Sequence, residues 1–286
     1  MLTAAAPVPD TPPAAGVRHQ RNHRDDLVSG RRLHARKSHA LRNVGVPQLL
    51  IVGVEEGHKR VYWHERQYRG GRDDLILLRP GERYGIDNRP GAHGYRAELI
   101  QLSPALVADF RRHHGGLIDA ALQDTAEIPI SVHRDRHTGQ AWQSLLAAIE
   151  EGAPAPLLDQ HARTLLLCLT LAGAARALLP GREAPLIQRV RQLLNDDPGR
   201  NWNIDELSNL TGMAASTLRR HLSAQDQGFR TILEDARLSA ALDSLQSTRD
   251  SIGHIAHAVG YASPSRFAIR FRRRFGISPS ELRAAL

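Results

Sequence analysis

Two stretches in the C-terminal third of this 286-residue chain repeat one helical pattern about 49 residues apart, and that duplication constrains the fold most. In the first stretch Ile204, Leu207 and Leu210 recur at helical spacing, Gly212 permits a sharp turn, and Leu218 and Leu222 resume the stripe. In the second, Ile252, Ile255, Ala256 and Val259 form one face, Gly260 makes the turn, and Phe267, Phe271 and Phe275 form the next stripe. Helix, tight glycine turn, helix is the layout of a helix-turn-helix. The expected units span about 203–225 and 251–275. Cap signals punctuate both. Asn203 stands three residues before Glu206, as in a capping box, Ser263 precedes Pro264, and Ser278 precedes Pro279 with Glu281 at the third helical position. The segment 229–247 between the units reads as one unbroken helix that fixes their separation.

Charge is distributed to match. The formal net charge is +8, and Lys37 and Lys59 are the only lysines, so the positive charge is almost entirely guanidinium. Arginine codons would be favoured everywhere by a GC-rich genome, but that does not explain their clustering. Arg266, Arg270, Arg272, Arg273 and Arg274 interleave with the phenylalanine stripe. A helix that buries its aromatic face offers those arginines to a polyanion, and the planar fork of arginine suits phosphate and guanine alike. The competing reading is that some of them solvate a surface or pair with Asp and Glu.

From 186 to 286 the chain resembles the DNA-binding domain of the AraC/XylS family of bacterial transcription regulators. The matching segments are "IDELSNLTGMAASTLRRHL", "FRTILEDARLSAALDSL" and "IGHIAHAVGYASPSRFAIRFRRRFGISPSELR". The resemblance implies seven helices, with the second helix of each unit in the major groove of double-stranded DNA, about one turn (~34 Å) apart. It places base-reading positions on Ser216, Arg219 and Arg220, with Thr217 beside them, and on Ser265, Arg266, Ala268 and Ile269. The family's capping residue falls on Ala214, which implies a weaker helix start. Ile269 stands where the family often has Arg or Lys, with Arg270 next to it. An isoleucine can touch a thymine methyl but cannot bond guanine, so the second unit is expected to grip backbone through Arg270 and Arg273 more than it reads bases. RNA polymerase is an implied partner, and activation the implied outcome.

The rest of the chain reads as α+β. Residues 1–42 lack apolar periodicity and are expected to be a disordered or loosely ordered tail. Short strands are expected at 48–54, 58–63, 74–80 and 95–102, separated by Gly and Pro turns, which suggests a small sandwich or barrel. "RGGRDDLILLRPGERYGI" is similar to a strand–turn–strand motif of the cupin-like sensing domains that precede many AraC-type domains. That resemblance implies a cupin-like β-barrel over 43–180, followed by dimerisation helices. Helices are expected after Ser103-Pro104, over 138–151 and over 157–179. The leucine-rich 157–179 helix is the candidate homodimer contact, with internal packing as its alternative. "PGREAP" (180–185) reads as the linker to the 185–286 domain.

Other chemistry is sparse. Cys168 is the only cysteine, so no intrachain disulfide or multi-cysteine zinc site can form, and a reducing, cytoplasmic setting fits. Its leucine surroundings predict a buried structural thiol with a raised pKa. No apolar run is long enough to cross a membrane. Histidines are numerous (His58, His64, His93, His113, His114), and His133 and His137 have helical ligand spacing, but they sit among arginines with no strong helical pattern. No metal, cofactor or catalytic residue is expected. A cupin-type enzyme with a DNA-binding appendage lacks a histidine–carboxylate set, and an alkylation-repair protein lacks acceptor cysteines. A regulator answering to a small effector, or to a partner protein, is the expected function.

Overall fold

The computed structural model describes residues 27–124, 128–179, 185–224 and 228–286. Residues 180–184 of the expected linker and the first part of the expected tail lie outside them, and Pro185 opens a helix.

The chain begins with eight strands: β1 (Val28–Ala35), β2 (His39–Val44), β3 (Leu49–Glu56), β4 (His58–Trp63), β5 (Arg66–Gly70), β6 (Asp74–Leu78), β7 (Tyr84–Arg89) and β8 (Tyr95–Leu102). Helices α1 (Pro104–His113) and α2 (Gly115–Asp124), a short β9 (Ser131–His133), and helices α3 (Arg136–Glu150) and α4 (Ala155–Leu169) follow. The strands form two sheets, ordered β1-β8-β3-β6-β9 and β2-β7-β4-β5. The two sheets are not hydrogen-bonded to each other, so the barrel expected from the sequence is an open sandwich, in which each sheet keeps two edges.

β3 explains the layering. Leu50, Val52 and Val54 face the core between the sheets, while Leu49 and Ile51 face α1, α3 and α4 on the outside. Being buried on both faces, it reads as a continuous apolar run. Gly53 interrupts that run because a Cβ there would stand 2.7 Å from Cζ2 of the fully buried Trp142 on α3.

Two expectations are corrected here. β1 and β2 lie inside the segment expected to be a tail. Only Val28, Leu33, Ala35, His39, Leu41 and Val44 are buried there, and arginines stand between them. Arg32 binds Glu98 at 2.8 Å and also pairs with Glu150, partners far away in sequence. The 157–179 helix is not continuous either. α4 ends at Leu169, the next turn widens through Thr170–Ala174, and Gly173 adopts φ 85°, which a right-handed helix cannot continue. A short 3₁₀ turn, Ala175–Leu178, completes it. Ala162, Leu165, Leu166 and Leu169 are buried in this protomer's own core, so the packing alternative holds for that face. Leu157 and Leu171 remain 53% and 68% exposed.

The C-terminal part is all helix: α5 (Pro185–Asp196), α6 (Ile204–Thr211), α7 (Ala215–Ser223), α8 (Phe229–Ser247), α9 (Ile252–Ala258), α10 (Pro264–Phe275) and α11 (Pro279–Ala285). These are the seven helices implied above. α5, α6 and α7 share one core with the start of α8. The rest of α8 packs with α9, α10 and α11, and this cluster is continuous with the sandwich core. β1 lies on α8 and β2 on α10, and the Arg36 and Lys37 amides donate to the Ala285 carbonyl at 2.8 and 3.1 Å.

Candidate nucleic-acid interface

Each helix-turn-helix is built by its own local chemistry. Asn203 Oδ1 accepts from the Glu206 amide at 2.9 Å and starts α6. The Glu206 carboxylate turns to Arg200 instead of back to Asn203, so only half of the expected capping box forms. Gly212 closes α6 in the left-handed conformation at φ 68°. α7 starts at Ala214 with no side-chain cap, as the sequence implied. Its Leu218 and Leu222 are buried, Ser216, Arg219 and Arg220 are exposed, and Thr217 is half-buried.

The second unit has firmer ends. Ser251 Oγ accepts from the His254 amide at 3.1 Å, and Ser263 Oγ from the Arg266 amide at 3.4 Å. Ser278 and Glu281 complete a full capping box on α11. Phe267, Phe271 and Phe275 are buried, with ring centroids 5.6 and 4.6 Å apart along the stripe. Tyr261 adds an edge contact to Phe267, and burial pushes its phenol up to about 12.

That stripe sets which arginines are free. Ser265, Arg266, Ile269, Arg270, Arg272 and Arg273 are exposed on α10. Arg270 Nε lies 3.3 Å from Glu234 Oε1 of α8. Arg274 turns inward, its side chain 18% exposed, with Nη2 3.1 Å from Asp235 Oδ1, and burial lowers its pKa. The expectation that Arg272 to Arg274 all reach outward therefore fails for Arg274, because it falls on the α8 side of the stripe. Its acidic partner lies on another helix, and no local signal marks it.

One side chain locks the two units together. Arg237 of α8 donates from Nε to the Pro198 carbonyl at 3.0 Å and from Nη2 to the Arg200 carbonyl at 3.1 Å, just ahead of α6. The same guanidinium lies against Gly260, the turn of the second unit, where a Cβ would stand 2.7 Å from it. The nineteen residues of α8, at 1.5 Å each, span about 28 Å between the units.

The remaining expected groups disperse. His133 is on β9 and His137 is in α3, and no group of three or more His, Cys, Asp or Glu among the described residues could hold a metal ion. Cys168 is half-buried, and burial raises its thiol pKa. No helix of the described residues is long and apolar enough to cross a membrane. A cavity of about 390 Å³ lies between the sandwich and α8, lined on one side by Leu33, Leu41, Leu50 and Lys59 and on the other by Ala240 and Asp243.

Comparison with known proteins agrees with this architecture. A model described as "AraC-like ligand binding domain" matches residues 29–167, and one described as "Helix-turn-helix domain" matches 207–285. The chain is 32% identical over 101 residues to the urease operon transcriptional activator of Escherichia coli, covering 35% of this chain and 34% of that protein. It is 30% identical over 121 residues to the regulator YdeO of Escherichia coli strain K12, covering 41% of this chain and 47% of that protein. The chain thus spans about a third to a half of these relatives. An apo variant of ToxT from Vibrio cholerae superimposes with a TM-score of 0.65 at 14% identity, covering 91% of this chain and 98% of that one. Wild-type ToxT bound to an unsaturated fatty acid gives 0.64 at 15%, covering 94% and 98%. These likenesses establish the shared fold, a β-rich domain followed by a double helix-turn-helix. On the two domain matches and the regulators it aligns with, the chain belongs to the AraC/XylS family.

Proposed function

We propose that the protein is a sequence-specific, DNA-binding transcription regulator, most naturally an activator, whose α7 and α10 enter two successive major-groove segments. The observation that carries this reading is the rigid pairing of two helix-turn-helix units through α8 and Arg237, with Arg219, Arg220, Arg266 and Arg273 exposed on the two second helices. α7 reads bases through Ser216, Arg219 and Arg220. α10 contributes Ser265, Arg266 and Ile269, and grips phosphates through Arg273. RNA polymerase is the downstream partner.

The sandwich acts as the sensing domain. Support comes from its match to ligand-binding domains, from the cavity against α8, and from the fatty acid carried by ToxT in the same fold. A homodimer forms through the surface left open by the core on α4 and the widened turn after it, marked by Leu157 and Leu171. Selection of genomic fragments by the full-length protein tests the DNA reading. Recovery of a common sequence bound well above scrambled DNA is the expected result, and equal binding to all fragments contradicts it.

A further inference from the structure

The outer face of the sheet β2-β7-β4-β5 carries charge that the fold does not use. Its strands hold Arg42, Arg60, Arg66, Arg69 and Arg89, and Asp87 is the only acid among their residues. Strand alternation sorts the faces. On β4, Lys59 and Val61 point into the sandwich and are 3% and 0% exposed, so His58, Arg60 and Tyr62 point out. Register puts Arg60 between Asp87 of β7 and Arg69 of β5, and sets His58 opposite Arg89. Two arginines directly opposite each other destabilise a sheet. Asp87 is a poor remedy, because Arg89 already engages it at 2.8 Å. Arg60 Nε and His58 Nε2 are buried with no hydrogen-bond partner in the protein. His58 registers the crowding: burial first, and then Arg69, Arg60 and Arg89, lower its pKa.

This face leads to the second DNA-reading helix. β2 packs on α10, and the exposed Arg42 lies against Gly276, the residue that closes α10, where a Cβ would stand 3.3 Å from its Cδ. Arg272 and Arg273 stand in the last turn of the same helix. Cationic side chains thus pass from the end of α10 onto the sandwich. Guanidiniums spread over several strands suit the regularly spaced phosphates of a duplex better than they suit one small anion. An acidic protein surface would meet the same charge, but would leave its junction with α10 without a reason. We propose that the outer face of this sheet is a further DNA contact, in which Arg60, Arg69 and Arg89 grip phosphates of the duplex flanking the α10 half-site and Arg42 bridges to α10. Three inter-strand spacings make the face about 14 Å wide, the rise of about four base pairs. The inference rests on the DNA-binding reading and adds to it a role for the sandwich in affinity.

The test is DNA binding by the full-length protein on its selected site, read at several salt concentrations. With the wild-type chain, cutting the flank beyond the α10 half-site weakens binding roughly fivefold or more and lowers the log–log salt slope by about two, while cutting an equal flank beyond the α7 half-site does neither. Arg60→Gln with Arg69→Gln reproduces both losses on the long DNA and is indifferent to the cut. These substitutions relieve a like-charge pair and leave Arg89 on Asp87, so the sheet is expected to fold. The cut DNA decides the matter even if it does not. Equal losses from the two cuts, or a folded double variant that keeps the wild-type salt slope, overturns the proposal and leaves the face to an acidic protein. Selection of the site keeps this inference apart from the reading it rests on. A protein that selects DNA without regard to the flank loses only the sheet contact, whereas one that selects no DNA loses the regulator reading as well.

Discussion

Arg270 Nε lies 3.3 Å from Glu234 Oε1, so the arginine beside the exposed Ile269 on α10 is held by the connecting helix. In the proposed complex the second unit thus turns an apolar side chain to DNA at the centre of α10, with the exposed cations Arg266 toward its start and Arg272 and Arg273 toward its end.

A division of labour between the helices follows. Arg220→Ala on α7 should cost about 1–3 kcal/mol on the preferred site and relax base choice at one position. Arg273→Ala should weaken preferred and scrambled DNA equally and reduce the log–log salt slope by about one. Binding curves on both DNAs at several salt concentrations check this. If Arg273→Ala changed base preference while Arg220→Ala lowered only overall affinity, the assignment would be reversed.

Ile269 is 68% exposed in the protein and should bury its side chain against a thymine methyl in the groove. Replacing each thymine of the site in turn by deoxyuridine removes that methyl alone. One position should lose about 1 kcal/mol, the worth of a buried methyl-sized group, and Ile269→Ala should erase the difference there. A site with no thymine sensitive to both changes would remove Ile269 from base reading.

Much of this second unit was legible in the sequence, because its determinants are local. The Phe267, Phe271 and Phe275 stripe, the Ser263-Pro264 start and the Ser278–Glu281 box all act within one or two turns. The parts that escaped depend on distant partners. β1 carries few apolar residues, and its Arg31 and Arg32 make sense only beside Asp243, Glu98 and Glu150. Arg274 looked free until α8 supplied Asp235. Leu165, Leu166, Leu169 and Leu178 are buried as the apolar run announced, while Leu157 and Leu171 are not, and periodicity could not say which leucines this protomer covers itself.

The fully buried Lys59 makes stability depend on pH in an unusual direction. Burial, with Arg31 adding to it, lowers its pKa from 10.5 to about 7. The unfolded chain thus holds a proton that the folded one gives up between these values, and stability rises with pH across that window. The penalty is full below about pH 7 and fades toward pH 10.5. Lys59→Met should therefore stabilise the protein by roughly a few kcal/mol at pH 6, and by much less near pH 10. Urea unfolding at both pH values checks this, and a pH-independent difference would show that Lys59 is not the titrating group.

Two kinds of leucine on α4 and the turn that follows it should separate in solution. Leu157→Asp with Leu171→Asp alters only exposed positions and should yield a folded monomer in sedimentation. Leu166→Ala opens a cavity in the core and should cost about 2–5 kcal/mol of stability without directly touching the dimer contact. A double Asp variant that stays dimeric would move the interface elsewhere.

Hydroxyl-radical footprinting of the full-length protein on its selected site tests the central claim most directly. Two helices joined rigidly by α8 and Arg237 should protect two patches on one face of the duplex, about one turn, or ~34 Å, apart. Arg220→Ala should thin one patch and Arg273→Ala the other. A single protected patch, or two patches on opposite faces of the duplex, would contradict the account.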